Sequence, residues 1–251
     1  MSRRDAAKRR ALVQWWSAKL LRLLGVELRL LGEFGPGAQL IVANHVSWLD
    51  ITAIHAVCPQ ARFVSKSDVK SWPLISRLVD AGDTLYVERE RKRDAMRVVH
   101  QMAAALTDGD VVAVFPEGTT GEGHVPLPFH ANLLQAAIAS SAVIQPVALR
   151  YSEPDQPVSS AAMYVGDTSQ AQSMARIAAA RGLAVTLTVL APLPSGRPQA
   201  GDSPPPSEGG ESTSRDPALP LQALDRRQLA AQLHDRISAA LASSAGPRPL
   251  A

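Results

Sequence analysis

Asn44, His45 and Asp50 follow the apolar run Leu40-Ile41-Val42-Ala43, and their types suit proton transfer. A neutral imidazole held by a carboxylate on one nitrogen has its tautomer fixed. Its other nitrogen can take a proton from a hydroxyl. His45 and Asp50 are five positions apart, so on one α-helix they would point about 140° away from each other. They meet only if His45 lies in a loop and Asp50 in the first helical turn. Ser47 is suited to cap that helix, which puts Asp50 at its third position. The same pair, Ser47-x-x-Asp50, also reads as a capping box with no chemistry attached. On these residues alone that structural reading carries the larger share, although the two roles are geometrically compatible.

Three further segments carry chemical potential. Phe115-Pro116-Glu117-Gly118-Thr119-Thr120-Gly121-Glu122-Gly123 follows the run Val111–Val114. A strand ending in a Gly- and Thr-rich turn offers N–H groups and hydroxyls to a ligand, as an anion nest does. An ordinary strand-to-loop turn has the same composition. Gly82-Asp83-Thr84-Leu85-Tyr86-Val87-Glu88-Arg89 delivers Arg89 to a strand end, where a guanidinium can clamp a phosphate through two bonds. The Arg91-Lys92-Arg93 run beyond it is better explained as a solvated face. Val143-Ile144-Gln145-Pro146-Val147-Ala148 is a β-run holding a proline, which implies an edge or a bulge. The remaining histidines, His55, His100, His124, His130 and His234, lack metal-ligand spacing. There is no G-x-S-x-G elbow, and Gly121 to Pro126 lacks the third glycine of a dinucleotide fingerprint.

The elements that would position these groups alternate along the chain. Strands are expected at 39–43, 62–65, 84–88, 111–115, 143–150, 162–165 and 184–190. Helices are expected at 47–57, 72–81, 93–107, 131–140, 169–181 and 221–242. This alternation predicts an α/β fold, with a mixed, largely parallel sheet flanked by helices. The chain divides into a basic amphipathic segment (1–37), the α/β domain (38–192), a linker rich in Pro, Ser and Gly (193–220), and a C-terminal helix with a short tail (221–251) that docks on the domain.

The 251 residues are 46% hydrophobic and 20% charged, enough for a full core, and exclude collagen-like and wholly disordered classes. One cysteine, Cys58, excludes a disulfide framework and a cysteine-rich zinc site. The net charge of +3 is unevenly spread. Residues 1–31 hold eight basic residues against Asp5 and Glu27, so the basic head faces an anionic partner. No stretch reaches the roughly 18 apolar residues of a spanning helix. Arg22 splits the only apolar core that a signal peptide would need. Helical periodicity over Ala11–Leu31 puts Lys19, Arg22 and Arg29 in one sector. Leu12, Val13, Trp16, Leu20, Leu23, Leu24, Leu28 and Leu31 fill most of the opposite side. With Trp15 and Trp16 near the start, this predicts a basic helix lying on a membrane. A surface helix packed on the protein's own core has the same periodicity. Glu27 interrupts the apolar sector, and Gly25 marks a place where the helix can divide. No nucleic acid is expected, since no reading helix or stacking surface follows the basic head.

Taken together and in this order, the four segments resemble the glycerolipid acyltransferase family, which includes bacterial 1-acyl-glycerol-3-phosphate acyltransferases. The NHxxxxD block is matched by Asn44, His45 and Asp50. The Gly-to-Arg strand is matched by Gly82, Leu85, Tyr86, Val87 and Arg89. FPEGTRS is matched from Phe115 through Thr119, and the apolar run with a proline at Pro146. The resemblance spans about residues 38–190. It implies that His45 deprotonates the hydroxyl of a lysophospholipid acceptor while Asp50 orients the ring. Acyl-CoA or acyl carrier protein would supply the acyl group. Asn44, Arg89, Glu117, Gly118, Thr119 and Thr120 would hold substrate, with no metal and no cofactor. The enzyme would sit at an anionic membrane surface, on the cytoplasmic face of the inner membrane. Thr120 stands where the family has Arg, and Gly121 where it has Ser. The lost arginine removes a phosphate partner and points towards a lyso-ornithine lipid acceptor. Neighbouring basic residues can replace it, which keeps lysophosphatidic acid, and hence phosphatidic acid as product, first. A lipid- or nucleic-acid-binding protein without enzymatic activity is the contrasting class. It leaves the His45/Asp50 and Glu117-Gly118 blocks without a purpose.

Overall fold

The computed structural model describes residues 3–66, 85–87, 92–195 and 225–243. Its elements are α1 (Arg3–Leu23), β1 (Glu27–Leu31), β2 (Gln39–Ala43), α2 (Leu49–Val57), β3 (Ala61–Lys66), β4 (Leu85–Val87), α3 (Lys92–Thr107), β5 (Val111–Val114), a 3-10 turn (Ala131–Leu134) entering α4 (Gln135–Ser140), β6 (Val143–Ser152), α5 (Gln170–Ala179), β7 (Ala184–Val189) and α6 (Arg226–Ala242). The strands form one sheet in the order β1-β7-β6-β2-β5-β3-β4. Every pairing is parallel except β6 with β7. The fold is thus a mixed, largely parallel α/β sheet with helices on its faces. The expected helix at 72–81, with Gly82 and Arg89 of the second block, lies outside the described residues.

β2 sits between β5 and β6 and is buried along its whole length, as expected for a parallel strand covered on both faces. Ile41 and Ala43 face one core with Val147, Leu149, Ala53, Ile54 and Ile177. Leu40 and Val42 face the other with Met102, Val112, Leu134, Leu229 and Leu233. The two cores pin β2 from opposite sides, so the loop after Ala43 leaves from a fixed point.

Several expectations need correction. The N-terminal helix stops at Leu23, because Gly25 takes φ +72° and turns the chain. Residues 27–31 are then a strand beside β7, with Leu28 opposite Val185 and Leu30 opposite Leu187. Leu28 and Leu31 therefore belong to the sheet and not to an amphipathic helix. Within α1 the apolar residues divide between two sides. Val13, Leu20 and Leu21 are buried, and Ser17 with them, while Leu12, Trp15, Trp16 and Leu23 stay exposed, with Lys19 over both indoles. Gln14 Nε2 donates to Ala56 O at the far end of α2. The expected strand at 162–165 is a loop. Pro146 is not at an edge, since β6 has neighbours on both sides, but the pairing slips by one residue there, as at a bulge. The β7 ladder ends at the pair Val147–Val189 and the next bridge is Ile144–Leu193, two residues facing three between them, so the missing N–H of Pro146 falls in this irregularity. The start of the linker is also displaced: Leu193 is buried and exchanges two backbone hydrogen bonds with Ile144.

Candidate active site

The loop at the carboxyl end of β2 is held before any side chain of the site is placed. Ala43 is the last β2 residue paired with β6, opposite Val147. The Asn44 amide continues the ladder in side-chain form, with Nδ2 donating to Leu149 O at 2.9 Å and Oδ1 accepting from Leu149 N at 2.7 Å. Asn44 is buried and its amide is spent on the strand. Its place is structural, in contrast to the substrate contact expected for it.

His45 comes next, in the loop, and Asp50 lies in the first turn of α2. His45 Nδ1 and Asp50 Oδ2 are 2.7 Å apart. The same oxygen accepts from Val46 N at 2.7 Å and Ser47 N at 3.0 Å. Oδ1 accepts from the Tyr151 hydroxyl at 2.7 Å. Of the two sequence readings of this pair, the His45–Asp50 contact forms and the Ser47 capping box does not. The carboxylate orients the imidazole and also satisfies free N–H groups at the helix start, with Trp48 and not Ser47 at the capping position. Asp50 is fully buried. Four donors are what make a buried carboxylate tolerable there. The His45 ring lies flat on Phe115 (centroids 4.0 Å apart, planes 7° apart), and Phe115 in turn stacks near Phe63. Its side chain keeps 19% exposure, so Nε2 is the nitrogen left to meet a substrate.

The Glu117 segment supports this loop from the other side. β5 ends at Val114, and Gly118 at φ +71° permits the sharp turn that folds the glutamate inward. Glu117 Oε1 accepts from His45 N at 2.6 Å, and Oε2 from Leu127 N at 2.8 Å. Gly121 N donates to His45 O at 2.8 Å, so both backbone groups of His45 are fixed by this segment. Burial pushes the Glu117 carboxyl up, against the pull of its two backbone donors. Glu117 is thus a backbone brace, where a head-group contact was expected. Thr120 Oγ1 donates to Tyr164 O, and Tyr164 N donates to Val46 O at 3.1 Å. The Thr120 hydroxyl is therefore also engaged within the protein. Of the three residues Glu117, Thr119 and Thr120, only Thr119 is exposed.

Tyr151 was not anticipated. It lies on β6 two residues past Leu149, on the same face of the strand, and is buried. That alternation was available in the sequence. What could not be read there was that this face meets the Asp50 carboxylate. Burial and the neighbouring Asp50 charge hold the phenol well above its usual range, so it remains a donor. The described residues contain no cluster of three or more metal-ligating side chains.

A family model described as Acyltransferase matches residues 32–150. A lyso-ornithine lipid O-acyltransferase of Pseudomonas aeruginosa is 31% identical over 239 residues, covering 95% of this chain and 81% of that protein. A 1-acyl-sn-glycerol-3-phosphate acyltransferase of Neisseria meningitidis is 36% identical over 146 residues, covering 58% of this chain and 57% of that protein. The crystal structure of the 1-acyl-sn-glycerophosphate acyltransferase PlsC of Thermotoga maritima matches with a TM-score of 0.63, over 96% of this chain and 82% of that one. At 16% identity the likeness to it is one of fold.

Proposed function

The chain belongs to the acyltransferase family, and from that premise we propose that it moves a fatty acyl group from a thioester to the free hydroxyl of a lysolipid. The observation that carries this reading is the 2.7 Å contact between His45 Nδ1 and Asp50 Oδ2, on a ring whose side chain keeps 19% exposure. His45 Nε2 takes the hydroxyl proton as the oxygen attacks the thioester carbonyl. The tetrahedral intermediate then collapses, and the departing thiolate recovers that proton from the imidazolium. Asp50 holds the ring and steadies the transient charge. The attack is direct, with no acyl-enzyme and no metal. The donor is acyl-CoA or acyl carrier protein.

For the acceptor, two observations support lyso-ornithine lipid. The arginine of the FPEGTRS block is replaced by Thr120, whose hydroxyl is tied to Tyr164 O. The relative that spans nearly the whole chain carries that name. This reverses the order drawn from sequence alone. Lysophosphatidic acid is the second reading, favoured by the N. meningitidis relative. Purified protein given each acceptor with acyl-CoA or acyl carrier protein, and its products identified by lipid mass spectrometry, separates the two. Product from lyso-ornithine lipid alone supports the first acceptor. Phosphatidic acid alone replaces it with the second, and no product from either removes the enzymatic reading.

The exposed side of α1 supports attachment to a membrane surface, where the lysolipid resides. Leu12, Trp15, Trp16 and Leu23 are each about half exposed or more. Lys19 Nζ lies 4.5 Å from the Trp15 ring centroid. Indoles beside a cation suit the lipid–water boundary. No described helix is long and apolar enough to cross a membrane. The proposed location is the cytoplasmic face of the inner membrane, held peripherally.

A further inference from the structure

We propose that Tyr151 is a positioning residue of the reaction: its hydroxyl fixes the Asp50 carboxylate in the one orientation that serves His45. The inference rests on the proposed acyl transfer and adds a third member to the His45–Asp50 pair. Three of the four donors to Asp50 converge on Oδ2: His45 Nδ1, Val46 N and Ser47 N. Oδ1 has Tyr151 as its hydrogen-bond partner, at 2.7 Å. Asp50 is fully buried, so water cannot replace that donor without opening the core. Without it one carboxylate oxygen would be buried and bare, a costly state. The group would then turn about its Cβ–Cγ bond or take up a proton. Either change withdraws the fixed, charged acceptor from His45 Nδ1.

The phenol is itself tightly placed. Tyr151 is buried in the core that holds Trp48, Leu49 and Leu149. Its carbonyl accepts from Ser159 N at 2.8 Å. Its strand neighbour Leu149 holds Asn44 through both backbone groups. One strand therefore clamps the loop twice on the same face, at Asn44 and at Asp50, on either side of His45. A phenylalanine would fill the same space, so packing alone does not call for the hydroxyl. The residue also lies just beyond the segment matched by the family model, which ends at residue 150.

The test compares Tyr151→Phe with a fluorotyrosine placed at the same position, which keeps the donor and strengthens it. Nitrogen NMR of the His45 ring gives a readout that needs no substrate. Besides Asp50, the ionisable group bonded to His45 is Glu117, at its backbone N–H, and it is unchanged in both variants. Without the donor the Asp50 carboxylate turns or takes up a proton, so the neutral His45 ring in Tyr151→Phe should lose its single Nδ1–H tautomer and show a mixture of both. With fluorotyrosine, which keeps the donor, the ring should hold the wild-type tautomer. In turnover, Tyr151→Phe should lower kcat about ten-fold while KM for acceptor and donor stays within about two-fold. A wild-type His45 tautomer in folded Tyr151→Phe overturns the proposal, as does unchanged kcat in that variant. If the wild-type protein acylates no lysolipid, the functional reading fails by itself. The NMR comparison still decides whether Tyr151 acts on His45 through Asp50.

Discussion

At the scale of single residues, the proposed site separates the group offered to substrate from the groups that hold it. His45 Nε2 is the one nitrogen of the His45–Asp50 pair left for a proton from outside. His45→Ala should lower kcat at least ~100-fold with the fold intact, the usual scale for a general base; near-normal turnover would remove it from that role. Asp50→Asn is the finer variant. The amide oxygen can face the three donors gathered on Oδ2, and the new NH2 can donate to the Tyr151 oxygen. The loop should therefore keep its shape while the charge behind the imidazole is lost. A fall in kcat of at least ~100-fold, with thermal stability close to wild type, is the expected result. Glu117 is expected to behave differently from a head-group ligand. Its two oxygens accept from His45 N and Leu127 N, and Glu117→Gln leaves one of these donors facing an NH2 group. The expected cost is about 1–3 kcal/mol of stability, with kcat falling and acceptor KM little changed. A rise in acceptor KM alone, at wild-type stability, would return Glu117 to substrate binding.

At the scale of elements, α1 carries two kinds of apolar contact that a helical period alone does not distinguish. Leu21 is buried against the core and Trp15 and Trp16 are exposed, although all three lie within two turns. Leu21→Ala should cost about 3 kcal/mol of folding stability and leave membrane binding to the folded fraction. Trp15→Ser with Trp16→Ser should leave the melting temperature unchanged and weaken sedimentation with anionic vesicles about ten-fold or more. Equal vesicle binding in the double variant would place the lipid contact elsewhere. The same helix shows what was legible in the sequence. β2, β5 and β7 are short runs rich in β-branched residues, and their positions follow from that alone. Glu27–Leu31 has leucines that suit a helix and a strand equally, and only its partner β7, more than 150 positions away, decides. Residues 162–165 failed in the reverse sense. Tyr164 and Val165 look strand-like, yet among described residues the segment meets the site loop through single bonds, such as Tyr164 N to Val46 O, and no ladder forms. The His45–Asp50 contact was legible because five positions span a loop and one helical turn. The inward turn of Glu117 and the reach of Tyr151 depend on which strand lies beside which, and spacing along the chain does not encode that.

At the scale of the whole molecule, a second buried histidine ties folding to pH independently of the site. His55 lies on α2, one element from His45, with Nε2 2.9 Å from Ala61 O. Its Nδ1 is buried without a partner, and its ring meets Phe63 edge-on at 5.0 Å. Burial therefore favours the neutral ring and pulls its pKa from 6.5 to about 4. The unfolded chain binds this proton near pH 6.5 and the folded chain only near pH 4, so the unfolded state holds more protons between those values. Stability then rises with pH across that window. Lowering the pH from 7.5 to 5 should cost on the order of 2 kcal/mol from this group alone. Glu117 acts in the opposite sense: its folded carboxyl is raised above 4.5, so it gains stability as pH falls through its own range and offsets part of the loss. Urea unfolding of the whole chain at pH 5 and pH 7.5 measures the sum, and His55→Gln isolates one part, since glutamine keeps a donor for Ala61 O and does not titrate. The variant should lose most of the stability difference between the two pH values, whatever its absolute stability. The same difference in wild type and variant would mean that His55 is already solvated and freely protonated in the folded protein.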